Sequence, residues 1–190
     1  MKKILISIKP KYVAEILNHR KTLEIRKTAP KCELPCEVYI YCTNGREVIK
    51  PSKTNPRYEK IKSYSPKKGC VCAKFTLNKV DKIEYHYHRT LDDWDGYFIG
   101  RGALTNIGEI EIGEKACLNH KQLNDYLKER EGYAWHIDQK SLVIFDRPKE
   151  LSEFEFPNPS GIRYIGQRAI KGLPSKKRPP QSWCYCEVDE

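Results

Sequence analysis

Short strand-like segments outnumber helix-like ones in this chain and do not alternate with them. That constrains the fold more than any other feature. Ile4-Leu5-Ile6-Ser7-Ile8 is an apolar run suited to a buried strand. Thr22-Leu23-Glu24-Ile25-Arg26 alternates, which places Leu23 and Ile25 on one face and Thr22, Glu24 and Arg26 on the other. Glu37 to Cys42 is β-branched and aromatic, and Cys70 to Leu77 reads as a strand that continues from Val80 to Tyr87. Tyr133 to Ile137 and Leu142 to Phe145 are further strands, the second closed by Arg147-Pro148, and Gly108 to Gly113 is a short alternating stretch. Residues 90–106 read as loop. Against these stand two helices. Pro10 suits a first helical turn, and Val13, Ile16 and Leu17 form one apolar face that ends near Asn18-His19. Asn119 with Gln122 forms a capping-box pattern, Leu118 can staple onto Leu123, and Leu123, Tyr126 and Leu127 face the core. Gly132 is expected to stop this helix in a left-handed conformation. Strands without regular helical crossovers argue against a parallel doubly wound sheet and predict an α+β domain or mixed barrel.

The 190 residues are enough to bury a core without disulfides. No apolar run approaches the roughly 20 residues of a membrane helix. The basic, then apolar, N-terminus is broken at Lys9 and Pro10, too early for a signal sequence. A cytoplasmic protein with no membrane partner is expected. None of the eight cysteines forms a Cys-x-x-Cys pair. Cys70 with Cys72 and Cys184 with Cys186 share strand faces as small apolar residues, and only Cys32-x-x-x-Cys36 resembles a ligand pair. His86-x-His88 lacks a third ligand, and Asp92, Asp93 and Asp95 lack calcium-loop spacing. The expectation is no metal, no cofactor and no disulfide.

The formal net charge is +10, and it is unevenly placed. Residues 1–31 hold nine Lys/Arg and two acids, residues 50–68 seven and one, and residues 161–180 six and none. Residues 81–131 reverse the balance, with eleven acids and seven bases. Basic stretches that converge in space attract polyanions, nucleic acid above all. The two outlying basic stretches are also rich in proline, so they read as an insertion (45–68) and a tail (157–190) that wraps the domain.

The densest chemistry lies in His19-Arg20-Lys21-Thr22-Leu23-Glu24-Ile25-Arg26. Here a cation, a carboxylate and a second cation run from a helix end into a strand. Arg offers a planar fork to an anion or base edge, Lys a point charge, and Glu an acceptor or a proton acceptor. The plain alternative is a solvated strand face with a weak ion pair. Trp135 and His136 are strand neighbours and point to opposite faces, so one is core and the other faces the cleft.

This segment resembles the Gly-x-Lys-x-x-Glu-x-Arg signature of ASCH domains, in the PUA-like superfamily, at Lys21, Glu24 and Arg26. Ile6 to Tyr12, Ile16 to Asn18, Pro35 to Cys42, Gly132 to Ile137 and Pro148 to Leu151 are similar to its flanking elements, in the manner of phage and Firmicutes members. The resemblance implies a small PUA-like mixed β-barrel with flanking helices, carrying the basic insertion and an extended C-terminal tail. Residues 1–156 would form the domain, and 157–190 a basic, proline-rich extension packed on it. It further implies a module that binds nucleic acid, RNA ahead of DNA, by recognising a nucleotide or base in a charged cleft. Lys21, Glu24, Arg26, Lys9, Trp135 and His136 would contact the ligand. Two alternatives stay open: an enzyme on RNA or a modified nucleoside, with Lys21 and Glu24 catalytic, and a phage-encoded inhibitor that binds another protein. His19 stands where the signature has glycine, which matters if that position needs positive φ. Glu24 stands where amidohydrolase-like relatives carry threonine.

Overall fold

The computed structural model describes residues 1–45, 64–87, 96–100, 107–156 and 178–189, and the backbone of 163–165 and 168–170. Most of the basic insertion, His88 and Asp92, Asp93 and Asp95 lie outside the described residues.

In chain order the elements are β1 (Lys3–Ile8), α1 (Pro10–Leu17), β2 (Leu23–Arg26), β3 (Cys36–Cys42), β4 (Val71–His86), β5 (Gly96–Ile99), α2 (Glu109–Ala116) and α3 (His120–Leu127). There follow β6 (Gly132–Ile137), β7 (Val143–Lys149), a 3-10 turn (Leu151–Glu153), β8 (Arg163–Ile165), β9 (Arg168–Ile170) and β10 (Trp183–Cys186). One sheet runs β10-β1-β3-β4-β6-β2, with β5 and β7 also paired to the long β4. The β1–β3 pair is parallel and every other pair is antiparallel. The sheet is not closed by a backbone ladder. The Arg26 side chain on the end strand β2 reaches across instead: its Nη2 donates to the Ser7 carbonyl on β1, the strand next to the other end, at 2.7 Å. The expected α+β mixed barrel is thus an open one.

Three apolar clusters follow from strand alternation. The concave face gathers Ile4, Ile6, Ile8, Val38, Ile40, Phe75, Leu77 and Trp135, and Val13, Ile16 and Leu17 of α1 pack into it. On the other face, Leu23, Ile25 and Ala134 meet α2 and α3, while Leu5, Tyr39 and Tyr41 meet Phe154, Cys186 and Val188. Both faces of β2 are therefore buried, which an alternating sequence alone does not announce.

Several local expectations change. Gly108 to Gly113 is not a strand: Gly108 is the N-cap of α2, with Glu109 and Glu111 in its first turn, where carboxylates complement the helix dipole. Gly96 to Ile99 is a strand, inside the stretch read as loop. The capping box at Asn119 and Gln122 forms in full. Gly132, however, does not end α3. Lys128 and Glu129 take the left-handed conformation instead, with φ of 56° and 58°. Gly132 starts β6, where a Cβ would meet Leu127 Cδ2 at 2.7 Å and the Arg26 carbonyl at 3.3 Å. β7 also runs past Arg147-Pro148 to Lys149. In the tail, β10 is the edge strand expected at Gln181 to Cys186, while the β8–β9 hairpin was not foreseen.

Among the described residues no helix is long and apolar enough to cross a membrane, and no group of three or more metal-ligating side chains assembles. Burial pushes the thiols of Cys36, Cys72 and Cys186 up to about 12, and that of Cys42 to about 11. These cysteines behave as apolar core residues.

Candidate functional site

Chain geometry at the end of α1 builds the site. Asn18 caps the helix, and its side chain donates to the Ala14 carbonyl at 2.7 Å. His19 follows with φ 57°, the left-handed turn that the glycine of the signature would provide, and its ring meets Gln139 Oε1 at 2.8 Å. That turn delivers Lys21 to the concave side just ahead of β2. Glu24 pairs in register with Trp135 and Arg26 with Tyr133, so these side chains share one face.

Lys21, Glu24 and Arg26 form one buried cluster, exposed by only 2%, 7% and 7%. Lys21 Nζ lies 3.2 Å from Glu24 Oε2, and Arg26 Nη2 lies 3.0 Å from Glu24 Oε1. Lys21 also donates to the Ala116 carbonyl at 2.7 Å and sits 5.3 Å from the Tyr12 ring centroid. Arg26 reaches Ser182 Oγ at 3.3 Å besides the Ser7 carbonyl. Its buried Nε has no hydrogen-bond partner among the described residues. Two cations share one carboxylate, so the cluster carries one excess positive charge. The neighbouring Arg20–Glu15 pair is neutral and adds none. Burial holds the Tyr126 phenol above its ordinary value, with the Arg26 guanidinium pulling the other way. The solvated strand face is therefore not what forms. Burial makes each charge contact within the cluster stronger than the same contact at the surface.

The remaining expected site residues divide. Trp135 lies on the cluster's face but is fully buried, its Nε1 donating to the Thr28 carbonyl at 3.3 Å. It is core, and no base can reach its ring faces. His136 points to the opposite face beside Leu23, where its Nε2 meets Asp81 Oδ2 at 2.8 Å. Asp81 also pairs with Lys79 at 2.8 Å. Burial works against the Asp81 charge, but its bonds to Lys79 and His136 outweigh burial and hold its carboxyl below the usual range. Strand alternation thus takes His136 away from Lys21, Glu24 and Arg26. Lys9 is exposed at the start of α1, a full helix away from Lys21.

Sequence reasoning passed over Ser7, Tyr12, Tyr126, Ser182 and Trp183. One signal was available. Ser7 is the single polar residue in the apolar run Ile4–Ile8, and its hydroxyl donates to the Pro180 carbonyl at 2.7 Å while its amide donates to the Ser182 carbonyl at 2.9 Å. Tyr126 gave none, because it sits on the helix face that also builds the core.

Each basic segment has one described end anchored at this site. The insertion departs after Gly45, whose Cβ position would lie 3.4 Å from Pro10 Cδ at the start of α1. It returns at Tyr64, whose amide and carbonyl both bond the Asn18 side chain at 3.0 Å. Asn18 is three residues from Lys21. The tail returns through Arg178 and Pro180 to Ser182, against Ser7 and Arg26.

Fold and site together define a class: an open, mixed α+β barrel with a buried Lys–Glu–Arg cluster where β2 faces β1. No family model matches the chain, and no curated protein matches it. Solved structures similar to it include ASCH proteins. One is the ASCH protein from Zymomonas mobilis, at 18% identity and TM-score 0.46, covering 97% of this chain and 87% of that one. Another is a tyrosine-to-phenylalanine variant of that protein, at 16% identity and TM-score 0.46, covering 97% and 90%.

Proposed function

We propose that this chain is a nucleic-acid-binding module, with RNA ahead of DNA as its ligand, and that it binds across the Lys21–Glu24–Arg26 end of the barrel. One observation carries the reading. A buried cluster with one excess positive charge lies between the anchor points of two basic segments. Residues 46–63 carry six Lys/Arg against two acids, and residues 161–180 six against none. Both return to the described fold beside the cluster, at Asn18 and at Ser7. Cationic segments that flank a fixed charged site supply non-specific attraction to a phosphate backbone, while the fixed site sets register. RNA is put ahead of DNA only on the likeness of residues 19–26 to the ASCH signature.

The reading is tested by titrating the isotopically labelled full chain with short RNA and following backbone amide shifts. Shifts should gather at residues 18–26, 64–68 and 178–183. Shifts confined to α2, α3 and β5, where the acidic stretch lies, would refute it.

A further inference from the structure

Trp135 is sealed in the core, and besides the half-buried Tyr12 and Tyr126 the aromatic surface that reaches the charged cluster, through Ser182, is that of β10. Trp183 and Tyr185 alternate on that strand and share its concave face, opposite Ile6 and Ile4 of β1. Both rings are partly exposed. Their centroids are 5.6 Å apart at 84°, and Trp183 meets Trp135 at 5.5 Å and 61°. Neither ring is loose. Trp183 Nε1 donates to Thr28 Oγ1 at 3.0 Å, and the Tyr185 hydroxyl accepts the Lys31 amide at 2.8 Å. Rings held this way lose little freedom when a ligand docks. The residue before Trp183 is Ser182, which touches Arg26. Lys27 and Lys31, just after Arg26, and Arg178, just before Ser182, are exposed, with Glu33, Glu187 and Asp189 as the exposed acids of these two segments.

We infer that β10 is a stacking platform, with Trp183 taking the face of an unpaired base while the exposed Lys27, Lys31 and Arg178 face the backbone. The ligand class is single-stranded nucleic acid, because paired bases do not offer their faces to a strand-borne ring. This inference rests on the nucleic-acid reading above and adds the state of the ligand and the residue that reads it.

The test uses the full chain, a fluorescently labelled single-stranded RNA and the same sequence annealed to its complement. Trp183→Ala should weaken single-strand binding by about ten-fold or more, the scale of a lost base–aromatic stack. Trp183→Phe should restore most of it. The salt dependence should stay unchanged in both, because no phosphate contact is lost. RNA should quench tryptophan emission in the natural chain and quench it far less in Trp183→Phe. That readout does not depend on the alanine variant folding. Unchanged affinity in Trp183→Ala, unchanged quenching in Trp183→Phe, or a duplex bound as tightly as the single strand would overturn the stacking inference alone. A chain that binds neither form of RNA would overturn it together with the reading it rests on.

Discussion

Replacing Glu24 with glutamine leaves two buried cations, Lys21 and Arg26, with no counter-charge between them. The carboxylate stands 3.2 Å from one and 3.0 Å from the other. At an effective dielectric of ~20, each contact is worth roughly 5 kcal/mol of gross Coulomb attraction. Desolvation offsets much of that in the intact cluster, but the offset is not recovered when only the carboxylate charge is removed. The net loss expected for breaking such a buried pair is about 3–5 kcal/mol. For a domain of this size that lowers the melting temperature by roughly 6–20 °C. Urea titration followed by circular dichroism measures it, with the slope against denaturant as a check on two-state behaviour. Adding Lys21→Met to Glu24→Gln should give a destabilisation smaller than the sum of the two single changes, because the double variant removes one of the stranded charges. A loss below about 1 kcal/mol for Glu24→Gln would place the cluster among solvent-screened surface pairs and refute the reasoning.

Other expectations test separate links. Gly132→Ala should destabilise by about 1–3 kcal/mol, because its Cβ meets Leu127 and the Arg26 carbonyl; equal stability in urea would show that the β6 start yields easily. His19→Gly should be more stable than His19→Ala by about 1 kcal/mol, since both lose the ring's contact with Gln139 and only glycine escapes the cost of φ 57°. Native alkylation at pH 8, read by mass spectrometry, should spare Cys36, Cys42, Cys72 and Cys186 until denaturant is added. Asp81 has a lowered carboxyl value in the fold. Its stabilising contribution is therefore present above the unfolded value of about 4 and is lost as pH falls through the folded one. Asp81→Asn should flatten that part of the acid limb of the stability profile.

Much of the fold was legible because its elements are locally decided. The Asn119 and Gln122 cap, the Pro10 helix start and the apolar runs of β1 and β3 each carry their own signal. The failures have a common cause in tertiary context. Gly108 to Gly113 alternates like a strand, yet Ile112 and Ala116 fall one turn apart and bury together against β2, and packing prevails over the pattern. Gly132 looked like a helix stop because its sequence offset suited one, but its small size serves close approach to Leu127 and Arg26 instead. At the site, the spacing of Lys21, Glu24 and Arg26 put three charges on one face, while their burial depends on Ala116, Ser7 and Ser182, which lie far away in sequence. No local pattern reports such a closure. Trp135 and His136 were known to diverge, and only the register with β2 settles which of them shares the face of Glu24.

The measurement that bears most directly on the nucleic-acid reading is the salt dependence of RNA binding by the full chain. A single strand that gives up about 0.7 counterion per neutralised phosphate, over about four phosphates, should bind roughly 50-fold more weakly at 200 mM salt than at 50 mM. A binding constant that does not change across that range would contradict the claim that the basic segments and the Lys21–Glu24–Arg26 cluster engage a polyanion.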